Sequence, residues 1–303
     1  MTDFIGDIHG HADKLEELLI KLGYSLKSGA YRHPDRKVVF VGDYIDRGPK
    51  IKETLYIVRS MVDAGSAIAL MGNHEYNAIC FHLHAKNGGH LRKHNIKNVV
   101  QHIETLKQFQ NKQDEYNSYI EWFIALPLYF ETEQFRAVHA CWDNENIKNL
   151  KTILNQDLFT DEIIYASADK QNTLYQIVEE TLKGKEIKMP DGLSFFDKDG
   201  TERSEIRIKW WEDPAKSTYK QMSVLPLEQL PELPVDLTLI ENTRYYHELE
   251  KPVFYGHYWL NGLPALQREN ICCLDYSVAK QGYLVSYRYD GEAQLSSDKL
   301  VFV

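Results

Sequence analysis

Val38-Val39-Phe40-Val41-Gly42-Asp43-Tyr44-Ile45-Asp46-Arg47-Gly48 is the stretch that decides the fold. Four consecutive apolar residues suit a strand buried on both faces. The chain then breaks into a turn bounded by glycines and crowded with carboxylates. The same design stands upstream, where Thr2-Asp3-Phe4-Ile5 runs into Gly6-Asp7-Ile8-His9-Gly10. It stands again downstream, where Ser66-Ala67-Ile68-Ala69-Leu70 runs into Gly72-Asn73-His74-Glu75. Between these runs lie two segments with helical spacing. Leu15, Leu18, Leu19 and Leu22 share one face of His11–Leu22, with Gly23 as the stop; Leu55, Val58 and Val62 do the same in Ile51–Val62. Strand, helix, strand, helix, strand predicts parallel strands joined by crossover helices, and so a layered α/β fold.

Beyond residue 80 the pattern loosens. A polar segment holding His82, His84, His90, His94 and His102 leads into helices expected from about Asn95 to Ala125. Leu128-Tyr129-Phe130 and Phe135-Arg136-Ala137-Val138 read as a hairpin. From 143 to 250 the chain is rich in Glu, Lys, Tyr and Asn, with Pro226, Pro231 and Pro234 near the end. This stretch is expected to be helical decoration over the site, an inserted cap on one domain spanning 1–303. Strands resume at Pro252-Val253-Phe254-Tyr255, and Ile271–Leu274, Tyr283–Tyr289 and Leu300–Val303 finish as an antiparallel set.

The 303 residues carry 35 basic and 44 acidic side chains, a formal charge of −9. General binding to a nucleic-acid backbone favours a strongly positive face, so it is not expected here. Cys80, Cys141, Cys272 and Cys273 lack zinc-ribbon spacing, and reduced thiols in a cytoplasmic protein are the simplest account. No run of ~18 apolar residues and no charged leader precedes the first strand, so neither membrane insertion nor secretion is expected.

Five clusters end apolar runs: Asp7 and His9, Asp43, Asn73, His139 and His257. Gaps of 36, 30, 66 and 118 residues separate Asp7, Asp43, Asn73, His139 and His257, too wide for one helix but natural for successive strand tips. In open α/β sheets ligands gather outside the carboxyl ends of strands. Asp7 and His9 can hold one metal ion, Asp43 can bridge through one oxygen to each of two, and Asn73, His139 and His257 can serve the second. Oxygen and imidazole donors without thiolate suit two divalent ions, with Mn leading and Fe, Zn or Co admitted; Mg fits less well beside so many histidines. A pair ~3.5–4 Å apart acidifies shared water and stabilises in-line displacement at phosphorus.

Gly6-Asp7-x-His9-Gly10, Gly42-Asp43-x-x-Asp46-Arg47-Gly48 and Gly72-Asn73-His74-Glu75 resemble the signature of phosphoprotein-phosphatase-type metallophosphoesterases, the calcineurin-like superfamily. His139 and Gly256-His257 stand in the order of that family's two later metal ligands. Trp211-Glu212-Asp213-Pro214 is similar to a protein-phosphatase element, and Leu274-Asp275-Tyr276-Ser277 to a strand end of bacterial members that include diadenosine tetraphosphatases. The resemblance implies an α/β/β/α sandwich and hydrolysis by a hydroxide shared between two metals. It implies that His74 is the general acid, held and kept charged by Asp46. It implies too that Arg47 clamps phosphate, and that Asn73 contacts phosphate as well as metal. The family's second phosphate-binding arginine has no matching motif here; Arg244 and Arg207 lie in the right interval, and Arg244 is taken for the role.

Several fragments read more simply. His74-Glu75 is no zinc-protease motif, because residue 78 is Ala, and no phosphate-cradling Gly-x-x-x-x-Gly-Lys-Ser/Thr loop occurs. Asp197-Lys198-Asp199-Gly200 is expected to be a turn, the histidines from 82 to 102 a solvated segment, and Trp210-Trp211 core packing. Three functions remain in view. Hydrolysis of phosphate monoesters, on a phosphoprotein or a small metabolite, leads. Cleavage of dinucleoside polyphosphates is the alternative, and an inactive metal-binding scaffold the remote one.

Overall fold

Phe4 and Phe254 stack ring on ring with centroids 3.7 Å apart, at the face where two β-sheets meet. The computed structural model describes residues 1–154, 159–190, 192–196, 202–228, 230–240 and 244–303. In the first sheet Thr2–Ile5 pairs in parallel with Lys37–Phe40, which pairs in parallel with Ala67–Ala69. On its other side Thr2–Ile5 meets Tyr283–Tyr289 antiparallel, and Asp275–Tyr276 and Leu300–Phe302 flank that strand. The second sheet sets Ile271–Cys273, Val253–Tyr255 and Arg136–Val138 in parallel, with Tyr129–Glu131 antiparallel at its edge.

Alternation of side chains along each strand decides what meets what. Phe4, Val39, Val41, Phe254 and Cys272 point between the sheets and form one apolar cluster. Ile5, Val38 and Phe40 point the other way, into a second cluster with Leu15 and Leu18 of helix Ala12–Lys21 and Leu55, Val58 and Met61 of helix Ile51–Asp63. Each fully buried aliphatic side chain contributes roughly 1.5–3 kcal/mol, so this helical stripe anchors the parallel strands. The chain passes from one sheet to the other at Leu274, whose N–H donates to Tyr255 O at 2.7 Å. Gly6 makes that crossing possible, because a Cβ there would stand 2.1 Å from Leu274 O.

The fold is of the layered α/β class expected from the strand and helix pattern. The region expected to be helical from Asn95 to Ala125 holds two helices, Ile96–Gln108 and Gln113–Ile124. The break falls near Asn111, whose φ is 59°. The inserted segment departs further from expectation. Helices Asn144–Ile153, Asp161–Ala168 and Thr173–Lys183 come first, and Leu150, Leu174, Val178 and Leu182 join the main core. After Gly184 the segment turns to short strands, with Glu186–Lys188 antiparallel to Glu205–Arg207, and to a small core of its own around Ile187, Ile206, Tyr219 and Met222. Pro190, Pro214, Pro226, Pro231 and Pro234 remove backbone donors there, which a continuing helix could not tolerate. The turn expected at 197–200 lies outside the described residues. Trp210 and Trp211 are buried, and Trp210 packs edge-on to Tyr255, as core side chains. Among the described residues no helix is long and apolar enough to cross a membrane.

Candidate metal centre

The parallel strands of both sheets end at the same side of the sandwich, and there the polar clusters meet. Asp7 follows Thr2–Ile5, Asp43 follows Lys37–Phe40, and Asn73 opens helix Asn73–His82. His139 follows Arg136–Val138, and His257 follows Val253–Tyr255. His9, Asp43, Asp46, Arg47, His257 and Trp259 all have left-handed backbone, with φ between 46° and 74°. Non-glycine residues rarely stay in that region unless their surroundings over-determine it, and such strain gathers at functional sites. Gly256 is needed for closeness: a Cβ there would sit 1.9 Å from Asp7 Oδ1.

The side chains point at one another. Among the described residues two sets of potential ligand atoms lie within 4.8 Å: His9, Asp43 and His74, and Asp43, His139 and His257. Asp43 belongs to both. Its Oδ2 is 3.6 Å from His9 Nε2, and its Oδ1 is 3.4 Å from His139 Nε2. Asn73 Oδ1 stands 3.1 Å from His139 Nε2 and 2.7 Å from His257 Nδ1. Asp7 Oδ1 and His9 Nε2 are buried without any hydrogen-bond partner. A buried carboxylate oxygen and imidazole nitrogen left unpaired are costly in an apolar interior, and metal ligation satisfies such groups; Asp7 itself belongs to neither of the two sets. The donor set therefore fits divalent metal on two sides of Asp43.

Hydrogen bonds behind the cluster aim these rings. His9 Nδ1 donates to Ile45 O at 2.9 Å and His139 Nδ1 to Val41 O at 2.8 Å, so each turns Nε2 and its lone pair inward. Burial, with His74 beside it, pushes His9 down to about 3, which keeps that ring neutral. Burial also raises Asp7, with Asp275 and Asp43 adding to it, as expected of carboxylates massed without a cation. Sequence reasoning gave Glu75 no role. It is fully buried and accepts from the N–H groups of Gly72 at 3.0 Å, Asp43 at 2.9 Å and Tyr44 at 2.8 Å. It thereby ties the second and third turns together. Its place three residues after the helix cap is the capping-box signal that could have revealed it.

His74 stands beside the metal ligands. Its Nε2 lies 3.9 Å from Asp43 Oδ2, and its Nδ1 lies 2.5 Å from Asp46 Oδ2. Asp46 Oδ1 accepts from His102 Nδ1 at 2.7 Å and from Thr105 Oγ1 at 2.6 Å. His102, expected in a solvated segment, is instead buried on helix Ile96–Gln108, and Tyr116 OH is 2.8 Å from its Nε2. His84, His90 and His94 do lie at the surface side, stacked ring on ring. Arg47 lies over the Trp259 indole, 4.2 Å from guanidinium carbon to ring centre, and both face a cavity of about 590 Å³ shared with His74, Asn73 and His257. Arg207 lines that cavity too, with Nη1 donating to His257 Nε2 at 2.8 Å. Arg244, taken for the second phosphate-binding arginine, is not brought there. It lies 3.5 Å from Glu145 and lines a separate cavity with Trp142, Asp143 and Lys185, because the chain between the two arginines folds onto the insert's own small core.

Comparison with known proteins adds the family. The family model described as calcineurin-like phosphoesterase matches residues 2–225. A bis(5'-nucleosyl)-tetraphosphatase PrpE [asymmetrical] of Oceanobacillus iheyensis is 33% identical over 141 residues, 46% of this chain and 54% of that one. The chain thus spans about half the length of such relatives. A symmetrical bis(5'-nucleosyl)-tetraphosphatase of Vibrio parahaemolyticus is 25% identical over 308 residues, 99% of both chains. A protein serine/threonine phosphatase from Saccharomyces cerevisiae superposes with a TM-score of 0.50 at 12% identity, over 100% of this chain and 78% of that one, a likeness of fold alone. With most of its length matched by that family model, the chain belongs to the calcineurin-like phosphoesterases.

Proposed function

We propose that this protein hydrolyses phosphate esters with two divalent cations held on either side of Asp43. The single observation that carries this reading is the pair of donor sets sharing Asp43, beside the orphaned Asp7 Oδ1 and His9 Nε2. Asp7, His9 and Asp43 would hold one ion, and Asp43, Asn73, His139 and His257 the other, with Mn the first candidate. Bound there, the ions would supply an acidified water and neutralise charge on the phosphoryl oxygens.

The chain's own groups do the rest. Arg47 and Arg207 present planar forks to the phosphoryl oxygens and orient the group for in-line attack. Trp259, with its indole against Arg47, limits where that guanidinium can swing. His74 gives its Nε2 proton to the leaving oxygen while Asp46 holds Nδ1, an arrangement worth typically ~10²–10⁴ in rate. Purified protein supplied with Mn should cleave an aryl phosphate; Asp43→Asn should abolish both metal uptake and turnover. Full turnover after exhaustive chelation would overturn the reading.

For the substrate, a phosphate monoester on a protein or metabolite is one candidate. The other is a dinucleoside polyphosphate, favoured by the likeness to the Vibrio tetraphosphatase along the whole chain. Product analysis on a phosphopeptide beside a dinucleoside tetraphosphate separates them. One domain with an inserted segment at 143–250 is the organisation we propose, supported by the shared core of the inserted helices.

A further inference from the structure

The cavity over the cluster is more positive than one phosphate requires. Seven lysines and arginines line it against three carboxylates, in a chain of net charge −9. All three carboxylates are engaged: Asp46 by His74, His102 and Thr105, Glu179 by Lys183, and Glu186 by Arg207. Arg47 and Arg207 already stand beside the cluster. Arg92, Lys97 and Lys170 line the same cavity from other elements: the loop before helix Ile96–Gln108, that helix's first turn, and the inserted segment between its second and third helices.

Arg92 is built in rather than draped over the surface. Its Nη1 donates to Asn77 Oδ1 and its Nη2 to Gln101 Oε1, each at 2.8 Å. Both partners are neutral amides, so no carboxylate pairs with it directly; burial lowers its pKa, against the pull of Cys80, Asp46 and Glu179 nearby. Its loop is pinned by a stack of rings: Phe81 on His94 at 3.7 Å, His94 on His90 at 3.8 Å, and His90 on His84 at 4.5 Å. The backbone N–H of Arg92 donates to Cys80 O at 2.8 Å. A half-buried guanidinium fixed in this way loses little freedom when an anion arrives, which is how preorganisation raises affinity. A cleft of one sign also concentrates oppositely charged substrate.

We propose that Arg92, Lys97 and Lys170 form a second anion subsite, which takes the phosphates joined to the one attacked. The substrate class is then a polyphosphate ester, and the bond cleaved a phosphoanhydride. Water oxygen bonds to the attacked phosphorus and gives up a proton to solvent, while the bridging oxygen leaves with the electron pair and accepts the proton from His74. No oxidant or further reactant is needed. This assignment rests on the phosphoester-hydrolase reading above.

Two measurements on the full chain test it. The first compares kcat/KM on a dinucleoside tetraphosphate, an aryl phosphate and a phosphopeptide, for wild type and for Lys97→Ala/Lys170→Ala with Mn supplied. The ratio of tetraphosphate to aryl phosphate should fall about tenfold, as loss of ~1.4 kcal/mol of anion binding would give. Arg92→Gln should lower the same ratio further. An unchanged ratio, or a phosphopeptide losing as much as the tetraphosphate, overturns the subsite. The second measures equilibrium binding of inorganic tripolyphosphate to metal-free protein, independent of turnover. Binding should weaken in the variants and fall with salt; equal binding by wild type and variants overturns it. Failure of wild type to hydrolyse any of the three esters would sink the hydrolase reading instead, while the tripolyphosphate result would still judge the subsite.

Discussion

Arg207 Nη1 donates to Nε2 of His257 at 2.8 Å, while Nδ1 of the same ring faces Asn73 Oδ1 at 2.7 Å. A ring nitrogen binds a cation through its lone pair, so a cation at Nδ1 leaves the ring proton on Nε2. Two donors would then face each other, and Arg207 must turn away into the cavity that phosphate enters. Arg207→Ala should therefore lower kcat/KM on an aryl phosphate about 10–100-fold, as loss of a charge-assisted hydrogen bond of ~1.5–3 kcal/mol would. Arg244→Ala should leave it within about twofold, as surface substitutions away from a site usually do. Steady-state kinetics on the two variants decide; the opposite ranking would restore Arg244.

Asp46 couples His74 to His102 and Thr105 through its two oxygens. Burial disfavours its charged form, but His102 and His74 outweigh that and hold it well below the usual carboxylate range. Asp46→Asn should cut kcat by about 10² or more with little change in KM, since it disturbs proton delivery rather than phosphate binding. The loss should be larger for an alkyl phosphate than for nitrophenyl phosphate, whose leaving group needs no proton. Equal losses on the two substrates would reduce Asp46 to a structural role.

Much of this was legible because the informative residues are local. Val38–Val41 and its two counterparts announce buried strands, and a glycine-flanked turn after each marks a strand tip where polar groups collect. The two crossover helices follow from the spacing of leucine and valine alone. What escaped depends on contacts that span distance. His102 and Thr105 reach Asp46 only because they sit three residues apart on one face of Ile96–Gln108, which looks in sequence like any polar helix. Arg207 and Arg244 lie in a segment without periodicity, so interval alone could not tell which enters the cavity. The prolines from 190 to 234 were visible, but treating the whole insert as helical ignored what they forbid.

Gly256 tests the metal centre without touching a ligand. A Cβ at this position would meet Asp7 Oδ1 at 1.9 Å, and the strand backbone beneath it cannot retreat. Gly256→Ala should displace Asp7 and lower bound Mn from two ions per chain toward one. The fold should survive, because the change lies at a strand tip rather than in either core. Elemental analysis beside circular dichroism reads both. Two tightly bound ions in the variant would remove Asp7 from the ligand set.

Lys185 Nζ lies 2.6 Å from Asp143 Oδ2, and both side chains are buried. Asp143 also caps helix Asn144–Ile153, accepting from Glu145 N at 2.9 Å and Asn146 N at 3.0 Å. Burial opposes its charge, but Lys185 and the cap hold its pKa below the ordinary value. A carboxyl depressed on folding adds stability above its unfolded pKa of ~3.9, and loses it as pH falls through the lower folded value. Lys185→Met should cost about 3–5 kcal/mol near neutral pH, because it leaves a buried carboxylate unpaired. Below about pH 4 that carboxylate can take a proton and the gap between wild type and variant should narrow. Denaturant unfolding of both proteins across this range measures it. A gap as wide at acid pH as at neutrality would mean that Lys185 acts through packing of its methylene chain, not through charge.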